Sequence, residues 1–66
     1  SNMVEGLAER LATEGGSAEE WARLIRALAI LNQNDRAKAI LAEGRQIFAA
    51  SPESLALINS AGGALE

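Results

Sequence analysis

The chain has no cysteine and no histidine, a single proline, and only two aromatic residues, Trp21 and Phe48, among 66. Without cysteine no disulfide can staple the fold, and without either residue an ordinary zinc site lacks its usual donors. The lack of cysteine fits a reducing or an oxidising compartment equally, so it does not place the protein in the cell. The near absence of aromatic residues, set against abundant Ala and Leu and a single proline at Pro52, argues for helices and against strands. No stretch approaches the roughly 20 continuous apolar residues of a membrane span, and no secretory signal is visible. A soluble piece is expected. The net charge is −3 and the basic residues stand singly, which argues against a nucleic-acid partner. A chain this short buries only about 60% of its unfolded surface, so its own core is predicted to be marginal.

What is present is a series of helix signals. Ser1-Asn2 before Met3 reads as the remnant of an expression tag and is set aside, leaving residues 3–66 as one helical domain. Val4, Leu7, Ala8 and Leu11 recur at helical spacing and predict a first helix over about Met3 to Thr13, stopped by Gly15-Gly16. Ser17 with Glu20 three residues later is a capping box for a second helix. On that helix Trp21, Leu24, Ile25, Leu28 and Leu31 gather in one sector, the face expected to be buried. Trp21 heads this stripe and reads as core rather than as an interface anchor. Glu19, Arg23 and Arg26 lie on the far side with Ile30 among them, flanked by the short methyls of Ala22 and Ala29.

After the polar break Asn32-Gln33-Asn34-Asp35, a third helix is predicted over about Asp35 to Ala50. Ala37, Ile40, Leu41, Gly44, Ile47 and Phe48 form its apolar side. Gly44 sits at the centre of that stripe, where a glycine costs about 1 kcal/mol against alanine; its expected use is a close helix crossing. Ser51-Pro52-Glu53 starts a fourth helix with a serine cap, a proline at the first position and an early acid. That helix should turn Leu55, Ile58 and Ala61 inward, leave Leu57 somewhat aside, and stop at Gly62-Gly63. Neither glycine pair has the spacing of a phosphate loop. Short connections make sequential helices antiparallel, so the expected fold class is all-α, a right-handed stack of about four short helices in antiparallel hairpins.

The run Trp21, Leu24, Leu28, Ala37, Leu41, Gly44 resembles one tetratricopeptide (TPR) repeat over residues 17–50. Leu41 replaces the usual aromatic, Gly44 the usual alanine, Ile25 stands where glycine or alanine is common, and the proline comes late, at Pro52. The run Met3-Val4-Glu5-Gly6-Leu7-Ala8-Glu9-Arg10-Leu11, followed by Trp21-Ala22-Arg23-Leu24-Ile25-Arg26, is similar to the C-terminal TPR region of bacterial cytochrome c-type biogenesis proteins of the CycH kind. The resemblance implies a membrane-anchored parent whose TPR part faces the periplasm. It also implies a role in holding apocytochrome c while other heme-lyase subunits attach heme. This chain has neither the Cys-x-x-Cys-His of a cytochrome nor a histidine, so no cofactor and no direct heme binding are expected.

In the TPR family the first helix of each repeat lines the concave surface. The resemblance therefore makes the far side of the second helix a docking surface, with Glu19, Ala22, Arg23, Arg26, Ala29, Ile30 and Gln33 as partner-binding candidates. Against it stands the plain alternative that a lone exposed isoleucine carries no function. The pairs Glu5/Glu9 and Glu19/Glu20 arise routinely on solvated helix faces, and no nucleophile or base accompanies them, so no catalytic role and no metal site is expected. Two functions compete: a module that docks apocytochrome c or a maturation factor, and a capping segment that closes a longer superhelix and binds nothing. Because the outer faces of the first and fourth helices lack neighbours, Val4, Leu11, Leu57 and Ile58 are candidates for exposure, and homodimerisation is the associated expectation.

Overall fold

The structure, a computed structural model, describes residues 2–66, with side chains from residue 3 onward. The proposed tag remnant thus falls partly outside the described residues. Four helices follow one another, α1 (Asn2–Glu14), α2 (Ala18–Ile30), α3 (Asn34–Ile47) and α4 (Pro52–Gly62), and a 3₁₀ turn, Gly63–Leu65, completes the chain. The described residues are all helical or connecting, and α2 is the central element, packing on α1, α3 and α4. The Cα atoms span 31 × 28 × 15 Å. That is a slab only about two helices thick.

The helix boundaries follow from local chemistry. Gly15 takes φ +77°, the left-handed region where a Cβ is costly, and its amide reaches the Leu11 carbonyl at 3.1 Å to close α1. Ser17 Oγ accepts the Glu20 amide at 3.2 Å while Glu20 Oε1 accepts the Ser17 amide at 2.9 Å, the reciprocal box expected of that spacing. At the other end of α2, the Gln33 amide donates to the Leu28 carbonyl at 2.9 Å and the Asn32 amide to Ala29 at 3.0 Å. Asn32 stands at φ 61° between them, completing a Schellman motif with asparagine in the usual glycine place. The motif puts Leu31 at the cap, outside the helical stripe, and it is 45% exposed rather than buried.

Two other expectations need correction. The third helix ends at Ile47, with Phe48 as its cap, instead of continuing to Ala50; Ile47 is 54% exposed and only Phe48 packs partly on the core. Ser51 precedes α4 without a side-chain capping bond, so the proline rather than the serine marks that start. α4 ends at Gly62 with Gly63 as its cap, as expected, although both glycines have ordinary right-handed φ values near −60°. A Cβ on Gly62 would lie 2.9 Å from Leu41 Cδ2. Gly62 therefore serves close packing of α4 on α3, the use the sequence suggested for Gly44.

The core consists of Leu11, Trp21, Leu24, Ile25, Leu28, Leu41 and Ile58 with four alanines, and among the described residues no polar side chain is buried. Leu11, named as a candidate for exposure, is 3% accessible, and Ile58, named likewise but placed inward by its helical spacing, is 0% accessible. Leu11 is covered because α1 packs on α2, and Ile58 because α4 packs on both α2 and α3. A methyl at Gly44 would meet Ile58 and Trp21 at 3.4–3.6 Å, ordinary contact. Gly44→Ala is thus expected to hold or raise the melting temperature through helix propensity, by up to about 1 kcal/mol. Gly44→Leu should lower stability by about 1–3 kcal/mol through overpacking. Equal melting temperatures for the two variants in thermal denaturation would show that the crossing is looser than described.

The attachment of α1 is mostly electrostatic at its rim. Arg36 grips Glu5 with two parallel bonds of 2.7 and 2.8 Å, and Arg10 pairs with Glu20. The Arg36 fork holds the Glu5 carboxyl below the usual 4.5. Glu20 is lowered first by Arg10 and then by the Ser17 amide. A carboxylate depressed in the folded state stabilises above its unfolded value and loses that contribution as pH falls through the folded one. Amide exchange in α1 should therefore accelerate below about pH 4.5 while α2 and α4 stay protected. Uniform exchange across all four helices would contradict this.

Candidate functional site

The outward side of α2 follows from how its inward side is used. Trp21, Leu24, Ile25 and Leu28 are fully enclosed, and Glu20 is turned back to the cap and to Arg10. Glu19, Arg23, Arg26 and Ile30 recur at three- and four-residue steps on the opposite side and face solvent. Together with Ala22, Ala27 and, from α4, Leu57, they line an open groove of about 390 Å³ between the two helices. Ile30 is 81% exposed, the most exposed large aliphatic side chain of the three hairpin-forming helices α2, α3 and α4. Leu57 opposes it at 39%.

Five of the seven candidate residues come together here: Glu19, Ala22, Arg23, Arg26 and Ile30. Ala22 does so from below. At 1% exposure it is part of the packed core edge and not a free methyl awaiting a partner backbone. Ala29 is half-buried and outside the lining. Gln33 sits in the α2–α3 turn, where its Oε1 accepts from Arg36 Nη1 at 3.2 Å, and is not part of this groove. Ala27 and Leu57 were missed. Leu57 carried a signal, an apolar residue off the inward stripe of α4, but its meeting with α2 depends on helix placement that no single-helix pattern encodes.

Neither Arg23 nor Arg26 has an ion pair or a side-chain hydrogen bond among the described residues. Both guanidinium forks are free to donate to a carboxylate in a bidentate manner. With one acid against two arginines, the groove carries one net positive charge although the chain is net negative. Its floor is aliphatic. Such a lining offers contact area and charge recognition, with no nucleophile, and no group of three acidic, histidine or cysteine side chains that could hold a metal occurs among the described residues.

No family model matches this chain and no solved structure matches it. Among curated proteins, it is 43% identical over 51 residues to the cytochrome c-type biogenesis protein CycH of Rhizobium meliloti, covering 77% of this chain and 13% of that protein. It is 37% identical over 57 residues to the protein of the same name from Bradyrhizobium diazoefficiens, covering 86% of this chain and 15% of that one. The chain is thus similar, over most of its own length, to a segment amounting to roughly an eighth to a seventh of two proteins named CycH.

Proposed function

We propose that this chain is a docking module whose α2/α4 groove holds a polypeptide segment of a protein partner. In a CycH-like parent on the periplasmic side of the inner membrane, that partner is apocytochrome c or a fellow maturation factor. The observation that carries the reading is the groove itself: Ile30 exposed opposite Leu57, with two unpaired arginines along the same edge. A monomeric domain gains nothing in stability from an isoleucine left in water beside the cations. A helix with an apolar stripe edged by acids would cover Ile30 and satisfy both guanidinium groups. The TPR resemblance supports this, since α2 stands as the first helix of the repeat-like hairpin α2–α3, and so does the cytochrome c biogenesis role named for the two similar proteins. No catalysis is assigned to the chain.

A second reading has its own support. The turn Gly63–Leu65 folds back against α2 and α3, and Leu65 packs partly on the core. That closure suits a capping segment of a longer helical stack. Titration of the ¹⁵N-labelled chain with a peptide of the C-terminal helix of an apocytochrome c separates the two. Docking predicts amide shifts confined to Glu19–Ile30 and the neighbourhood of Leu57. No shift at a peptide concentration of several millimolar would leave capping as the function.

A further inference from the structure

The slab has a second groove, between α1 and α3, with a volume of about 450 Å³ and a lining of Glu5, Ala8, Glu9, Ala12, Arg36 and Ile40. We infer that it docks a basic-edged amphipathic helix of a second protein segment, a partner opposite in charge to the one that suits the α2/α4 groove. The inference does not depend on the reading of that first groove.

The charge of the lining selects the occupant. Arg36 is the groove's one cation, and both its terminal nitrogens are engaged by Glu5, with Gln33 adding a third bond. Its charge is cancelled, and its fork ties α1 to α3 so that the two walls keep their spacing. Glu9, one turn along the same wall, has no cationic partner among the described residues. Two acids against one arginine leave the lining net negative, the reverse of the α2/α4 groove. On α3, Arg36, Ile40, Glu43 and Ile47 fall within about 60° around the helix axis, so the apolar and acidic stripe continues past the lining to Glu43 and Ile47. Glu43 is exposed and likewise unpaired. This continuation accounts for Ile47, which is 54% exposed where a core position was expected.

The floor suits a helix. Ala8 and Ala12 keep α1 low along the groove, and Ile40 is half-buried with one side still open. A partner helix can lie close there, place leucine-like side chains over Ala12, Ile40 and Ile47, and bring lysine or arginine at its edges to Glu9 and Glu43. An acid-edged helix in the same place would bury like charges against Glu9 and be rejected.

Two synthetic helical peptides with the same leucine stripe, one edged by lysine and one by glutamate, test this by methyl and amide NMR on the full chain. The lysine-edged peptide should move the Ala8, Ala12 and Ile40 methyls and leave Ile30 and Leu57 unmoved. Its affinity should fall at least tenfold in Glu9→Lys and severalfold in the charge-neutral Ala12→Gln. Both positions are exposed, and an unchanged circular dichroism spectrum would verify that each variant folds. Shifts spread over all exposed carboxylates with equal affinity for Ala12→Gln would mean diffuse charge attraction and overturn the proposal. So would peptide shifts centred on Ile30 and Leu57, or a groove that responds only to the concentration of the chain itself and so serves a second copy.

Discussion

Replacing Leu28 with alanine should remove a large part of the protein's folding stability. Leu28 has no accessible surface and lies in the middle of α2, the helix on which the other three converge. Truncation of a fully enclosed leucine costs about 2–5 kcal/mol, the removed methyls plus the cavity they leave. A 66-residue domain without disulfide or metal has a total stability near the low end of about 5–15 kcal/mol. The variant should therefore show a midpoint in urea shifted toward zero with an unchanged slope, and a melting transition lowered by well over 10 °C. A loss below half a kcal/mol would mean that α2 is not the central element.

The second large effect is on binding. Reversing the charge at Arg26 should weaken an acid-edged partner by more than about tenfold at low salt, or 1.4 kcal/mol. The fold should survive, because Arg26 is exposed and has no internal partner among the described residues. Ile30→Ser should also reduce affinity, but its loss should barely vary with ionic strength, since it removes apolar contact and not charge. Calorimetric titration of both variants at two salt concentrations reads the difference. Equal affinity for wild type, Arg26→Glu and Ile30→Ser would move the docking surface elsewhere.

The parts of this structure that were legible in the sequence are those decided within a single helix or turn. Ser17 and Glu20 make the predicted box, Gly15 takes the left-handed turn, and Trp21, Leu24, Ile25 and Leu28 form the buried stripe because periodicity and capping are local properties. The far side of α2 was equally readable, since Ile30 among Glu19, Arg23 and Arg26 has no inward route. What failed depended on neighbours. Leu31 continues the helical stripe by count, but the Asn32 turn takes it out of the helix. Leu11 was named for exposure because α1 has no obvious outer neighbour, yet it faces the core, and Ile58 is enclosed between α2 and α3 as its place on the inward stripe of α4 implied. Leu57 and Ala27 complete the groove, and Gly62 sets the approach of α4 to Leu41, through contacts between helices far apart in the chain.

Intermolecular NOEs between the methyl groups of this chain and an isotope-filtered apocytochrome c helix bear most directly on the central claim. Cross-peaks are expected from Ile30 and Leu57 to one apolar stripe of that helix, together with none from Ile40. Cross-peaks from neither Ile30 nor Leu57 in a complex of demonstrated affinity would contradict it.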